Sequence, residues 1–192
     1  MSVTATREPI SCRFPLVDPA AVNDSTVRAV FEEIEQELGF GIVPNLFRAM
    51  ANQPAILRAT WNLFRATVLQ GELPRVIKEM VGIVVSAANG SEYALRVHMH
   101  SLGVQGVARE TLALLAEGAS RVTAVSPSMA AIVQLAHTAA HDGPLAVTET
   151  EYAAIEEAGI TAGELAEVFA AIDLFQYVNS FTDLARVPVD AI

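Results

Sequence analysis

The chain has 192 residues, 52% of them hydrophobic and 18% charged, which is enough for a packed domain and excludes the disordered class. Its 12 Lys+Arg against 22 Asp+Glu leave a formal charge of −10, which argues against nucleic-acid partners and polybasic membrane contact. The one cysteine, Cys12, excludes an intramolecular disulfide and a cysteine-rich metal site, so a reducing cytoplasm is the expected setting.

Residues 1–24 read as an N-terminal arm. Arg7 and Arg13 lie there without an apolar core or small-residue cleavage pattern, so no secretory signal is expected. Residues 25–192 read as one helical domain. A first helix spans 25–38 and stops at Gly39, with Glu32, Glu33, Glu35 and Glu37 facing outward. The linker GFGIVP (39–44) follows. Pro44 then opens a short helix through Ala51, and Pro54 opens another to Gln70, because proline suits a first helical turn.

After a break at 71–74, residues 74–89 form a helix that is apolar almost all round. Val76, Ile77, Met80, Val81, Val84, Ala87 and Ala88 make one broad stripe, and Asn89-Gly90 ends it. A helix over 91–102 closes at Gly103 and Gly106, and one over 108–117 stops at Gly118. Ser126-Pro127 starts a helix to about His141. Thr148…Glu151 and Thr161…Glu164 have the form of capping boxes. The last helix, 161–186, is expected to bury Leu165, Phe169, Ile172, Phe175 and Val178. No stretch alternates with period two. The fold class is all-α, about eight helices in a single domain. Residues 122–192 carry one basic and ten acidic groups and read as a solvated acidic face.

Four sets of residues are candidates for chemistry. Glu79 borders the apolar stripe. It is either a first-turn carboxylate in water or a buried one that needs partners. On the following helix Ser91, Ala94 and His98 share one face while His100 points the opposite way, so the HMH string is not a chelating pair. His137 and His141 have the i, i+4 spacing of a metal clamp but no third ligand, and adjacent Asp142 is not expected to converge with them. Trp61, Phe64, Phe169 and Phe175 read as core first and pocket lining second. No phosphate loop, nucleophile elbow or CxxC is present, and no spacing implies a metal or organic cofactor.

The run VVSAANGSEYALRVH (84–98) resembles the signature of the carboxymuconolactone decarboxylase and AhpD-like alkylhydroperoxidase superfamily, in its peroxidase-related branch. IVPNLFRAMA (42–51) and FQYVNSFTDLARVPVD (175–190) look like the same branch. The resemblance implies an AhpD-like orthogonal helical bundle and a homo-oligomer, whether dimer, trimer or hexamer. In redox members a glutamate, two cysteines and a histidine form a proton relay. Glu79 and His98 match the glutamate and histidine, whereas Ser91 and Ala94 stand where the cysteines would be. Thiol peroxidase chemistry needs a low-pKa thiolate and a resolving thiol, and neither is available at those positions.

What the resemblance then implies is cysteine-independent acid–base chemistry on a small organic acid or lactone, without a cofactor. His98 would be base or acid, Glu79 its orienting carboxylate, Ser91 a hydrogen-bond donor, and Tyr93 and Trp61 substrate contacts. AhpD-like alkyl hydroperoxidase activity of the peroxiredoxin type is one alternative. A non-catalytic oligomeric protein that keeps the pocket for ligand binding is the other.

Overall fold

A computed structural model describes residues 11–117 and 126–191. Gly118, the expected stop of the sixth helix, lies outside them, as does Arg7 of the arm. The described residues form nine α-helices and no strand. Helix α1 (Ser25–Leu38) starts where Asp24 Oδ1 accepts from the amides of Thr26 and Val27, at 2.8 and 3.0 Å, and it ends on Gly39 at φ 84°. Its apolar face (Val27, Val30, Phe31, Ile34, Leu38) is buried. Helices α2 (Asn45–Met50) and α3 (Pro54–Phe64) follow the two prolines.

The expected single helix to Gln70 is not continuous. After Phe64 the chain widens into a π-turn over Arg65–Leu69. The wider turn seats both Thr67 and Val68 in the core while Arg65 reaches Glu37 at 2.8 Å. A regular helix turns 100° per residue and would present a different pair of side chains inward.

Helix α4 (Arg75–Asn89) is the central rod, packed against α5 (Glu92–Val104), α7 (Pro127–His141) and α9 (Ala162–Ala185). Its apolarity on almost every side follows from that position: Met80 to Ser86 are all buried. Helix α6 (Arg109–Ala116) covers one end, where Leu112 and Leu115 pack with Met80, Ile83, Val84, Leu102 and Val133. Helix α8 (Glu149–Glu157) packs on α7. Both expected capping boxes form. Thr148 and Glu151 exchange bonds of 3.3 and 2.8 Å, and Thr161 and Glu164 bonds of 3.1 and 2.8 Å. Ser126 Oγ accepts from Met129 N at 3.3 Å, and Pro127 is the first residue of α7.

Phe169 departs from expectation. It is 40% exposed, because Val168, Ala171 and Ile172 occupy the inward face of α9 and Phe169 falls beside that face. Residues 11–24 are bonded to the body: Arg13 N donates to Ala185 O at 2.8 Å, and Arg48 Nε to Val17 O at 3.0 Å. No helix among the described residues is long and apolar enough to cross a membrane.

Candidate active site

The site is built on the hairpin of α4 and α5. Gly90, at φ 68°, closes α4. Its amide bonds to Ala87 O and that of Ser91 to Ser86 O, a Schellman arrangement that only a residue comfortable in the left-handed region makes cheaply. Helix α5 starts at once and runs back along α4. Glu79 lies eleven residues before Gly90 and Ser101 eleven after it, so at 1.5 Å per residue the two reach about the same height on neighbouring rods. His98 is one turn nearer the bend.

The side chains meet accordingly. His98 Nδ1 and Glu79 Oε2 are 2.7 Å apart, and Ser101 Oγ donates to Glu79 Oε1 at 2.7 Å. Arg75, one turn before Glu79, donates from Nε to the same Oε1 at 3.1 Å. Its remaining nitrogens reach Leu38 O and Ser101 Oγ, at 3.1 and 3.2 Å. Glu79 is only 2% exposed, so of its two possible environments the structure places it in the buried, paired one. Burial by itself raises its pKa. The bond and charge of His98, the charge of Arg75 and the Ser101 bond together outweigh that and hold it below the usual 4.5.

His98 is fixed on three sides. Its ring lies flat over Gly82, where a Cβ would stand 2.6 Å from Nδ1 and Cε1 and 2.7 Å from Nε2. Phe175 meets the ring edge-on with centroids 4.5 Å apart. With Nδ1 held by the carboxylate, Nε2 is the nitrogen left without a protein partner among the described residues. Glu79 and His98 both line a narrow cavity walled by Leu38, Phe40, Phe47, Ala94 and Phe175. About 30 Å³ of it is open to water centres, and of its thirteen lining residues only Glu79, Tyr93 and His98 are polar.

The other candidates are placed differently. Tyr93 lines the cavity with its ring. Its hydroxyl, however, donates to Asp190 Oδ2 at 2.7 Å and accepts from Leu46 N at 3.0 Å. Burial and the Asp190 carboxylate push the phenol well above its usual value, so it stays protonated. Asp190 Oδ1 accepts from Asn45 N at 2.8 Å, so this carboxylate and the Tyr93 hydroxyl together cap α2 from across the molecule. Ser91 is not among the cavity's lining residues; it is buried at the N-cap of α5, where its Oγ donates to Asp183 Oδ1 of α9 at 3.0 Å. Trp61 is fully buried, edge-on to Phe47 and stacked on Phe64, and its indole N–H bonds Glu33 at 2.8 Å. It too is not among the lining residues.

His100 packs against Phe40 on the far side of α5. His137 and His141 stack at 5.4 Å, and Asp142, the C-cap of α7, contrary to expectation bonds His141 Nδ1 at 2.9 Å. Among the described residues no group of three His, Cys, Asp or Glu side chains could hold a metal. Arg75 and Ser101 were not anticipated from the sequence. Their signals were the i, i+4 spacing of Arg75 to Glu79 and the i, i+3 spacing of Ser101 to His98.

The helices of the described residues share the all-helical AhpD-like fold of solved structures. Residues 54–138, which hold both Glu79 and His98, match the model of the carboxymuconolactone decarboxylase family. Solved structures agree over nearly the whole chain. The alkylhydroperoxidase AhpD core, an uncharacterized peroxidase-related protein from Ralstonia eutropha JMP134, superposes with a TM-score of 0.83 at 23% identity, covering 96% of this chain and 95% of its own. An uncharacterized peroxidase-related protein from Silicibacter sp. TM1040 gives 0.81 at 19%, covering 99% and 96%. The debrominase Bmp8, in complex with 2,3,4-tribromopyrrole, gives 0.75 at 19%, covering 87% of each chain. No curated protein matches the sequence.

Proposed function

We propose that the chain catalyses cysteine-independent acid–base chemistry on a small organic acid or lactone. The observation that carries this reading is the buried Glu79–His98 pair, whose imidazole leaves Nε2 free beside an apolar cavity. In that setting His98 takes a proton from the carbon next to a carbonyl, leaving the enolate. Glu79 holds the ring in the tautomer that exposes Nε2 and balances the imidazolium that forms. The same imidazolium returns the proton, so the step needs no oxidant, reductant or metal. Arg75 and Ser101 keep Glu79 ionised and in place.

Opening of the cavity is part of this reading, since about 30 Å³ admits only water. Phe40, which lines the cavity between Gly39 and Gly41 at φ 84° and 69°, is the wall that would have to turn aside. A flat ring of the size that the debrominase neighbour holds would suit these aromatic walls once Phe40 turns aside. The thiol peroxidase reading is disfavoured because the one cysteine of the chain, Cys12, is not among the lining residues.

The test is proton exchange. Purified protein in deuterated water, given a panel of small keto acids and lactones, is expected to exchange the carbon-bound proton of at least one, as read by NMR. His98→Ala should abolish that exchange. Undiminished exchange in a folded His98→Ala variant refutes the assignment, and peroxide consumption with an added thiol would favour the peroxidase reading instead. Homo-oligomerisation belongs to the same proposal, supported by Ile56, Leu63, Tyr177 and Leu184, which are exposed on α3 and α9.

A further inference from the structure

Outside the cavity, an open groove of about 520 Å³ runs between α5, the start of α6 and the segment after α9. Its composition is unusual for a chain of net charge −10. Arg96, His100 and Arg109 line it, and Met99, Val107 and Leu112 give it an apolar floor. Arg96 and His100 are one turn apart on α5. Arg109 has no ion-pair partner among the described residues, and Arg96 is held only by exposed Glu92 at 2.7 Å, a pair that solvent screens. The one carboxylate lining the groove, Asp190, already accepts from Tyr93 and Asn45.

We propose that this groove binds a small organic anion with an apolar body, its carboxylate shared by Arg96 and Arg109. A guanidinium suits this task because its planar donors match a carboxylate bidentately and it is weakly hydrated beside apolar surface. His100 supplies a further donor, and its ring meets Phe40 edge-on with centroids 5.2 Å apart. Phe40 lines the Glu79–His98 cavity, so this ring contact links a residue of the groove to a wall of the cavity. The groove is thus placed as an outer station for an anion near the inner site. In that respect alone the inference rests on the acid–base reading.

The experiment is calorimetric titration of the full chain at low ionic strength with three probes: benzoate, benzamide and inorganic phosphate. Benzoate is expected to bind. Benzamide, which keeps the body and loses the charge, and phosphate, which keeps charge and loses the body, should each bind roughly tenfold more weakly or less. The doubly substituted Arg96→Gln/Arg109→Gln protein should lose about tenfold in benzoate affinity, with circular dichroism and melting temperature unchanged, since both side chains are exposed. His98→Ala should leave benzoate affinity unaltered, so failure of the inner site and failure of the groove are told apart. The proposal is overturned if benzoate does not bind, if either comparison probe binds as well, if the double variant binds like the parent, or if His98→Ala removes the binding.

Discussion

Glu79 and His98 touch at 2.7 Å although they sit on different helices, and each has a second support that the other lacks: Arg75 and Ser101 for the carboxylate, Gly82 and Phe175 for the imidazole. The pair is therefore held in place rather than merely in contact. Replacing Glu79 by Gln keeps the shape and removes the charge. The proton-exchange rate of any substrate found should fall by about 10²-fold or more, while Glu79→Ala should also cost about 3–5 kcal/mol of stability by leaving Arg75 and His98 uncompensated. Denaturant titration beside the exchange assay separates the two effects.

Gly82 gives a sharper contrast. A Cβ there would enter the space of the His98 ring, so Gly82→Ala should destabilise by about 1–3 kcal/mol even though alanine is the better helix former. Gly103, inside α5, has nothing within 4 Å of its missing Cβ, and Gly103→Ala should stabilise by about 0.5–1 kcal/mol. Melting temperatures of the two variants should move in opposite directions.

The Tyr93 hydroxyl distinguishes structure from chemistry. Tyr93→Phe breaks its bonds to Asp190 and to Leu46 N, which should cost about 1–3 kcal/mol. If the hydroxyl serves only α2, exchange catalysis per folded molecule stays the same. A drop in turnover without a drop in stability would instead make it a substrate contact.

Acid should weaken the fold in a defined way. The Glu79 pKa lies below its ordinary 4.5 in the folded protein, so the stability it contributes is present above about pH 4.5 and is lost as pH falls through the lower folded value. Glu33, Glu151 and Glu167 are shifted in the same direction: burial opposes each, and hydrogen bonds from Arg58 and Trp61, Thr138 and Thr148, and Lys78 respectively outweigh it. Asp190 is shifted the other way by burial and offsets part of this loss. Glu79→Gln should flatten the fall in stability below pH 4.5, as read from unfolding midpoints at pH 3.5 to 6.

Much of this architecture could be read from single residues. Thr148 with Glu151, Thr161 with Glu164, and Ser126 before Pro127 each mark a helix start by local chemistry, and the structure has a helix at each. Glu79 and His98 were within reach through the family resemblance of residues 84–98, whose glutamate and histidine positions they match. The π-turn after Phe64 was not legible, since nothing within residues 65–69 distinguishes it from a regular helix until the core claims Thr67 and Val68. Nor was the partnership of Tyr93 with Asp190, 97 residues away, or that of Lys78 with Glu167 at 2.6 Å. Such pairs depend on how helices dock, which no local pattern encodes.

The capping of α2 bears on the order in which the protein acquires its shape. Six residues make too short a helix to persist alone, and the carboxylate that receives its first amide comes 145 positions later in the chain. On the ribosome, this piece of wall must wait for residue 190 to emerge. The pocket is thus assembled only once Asp190 is in place, and a nascent chain arrested before residue 190 would carry Glu79 and His98 in an unfinished room.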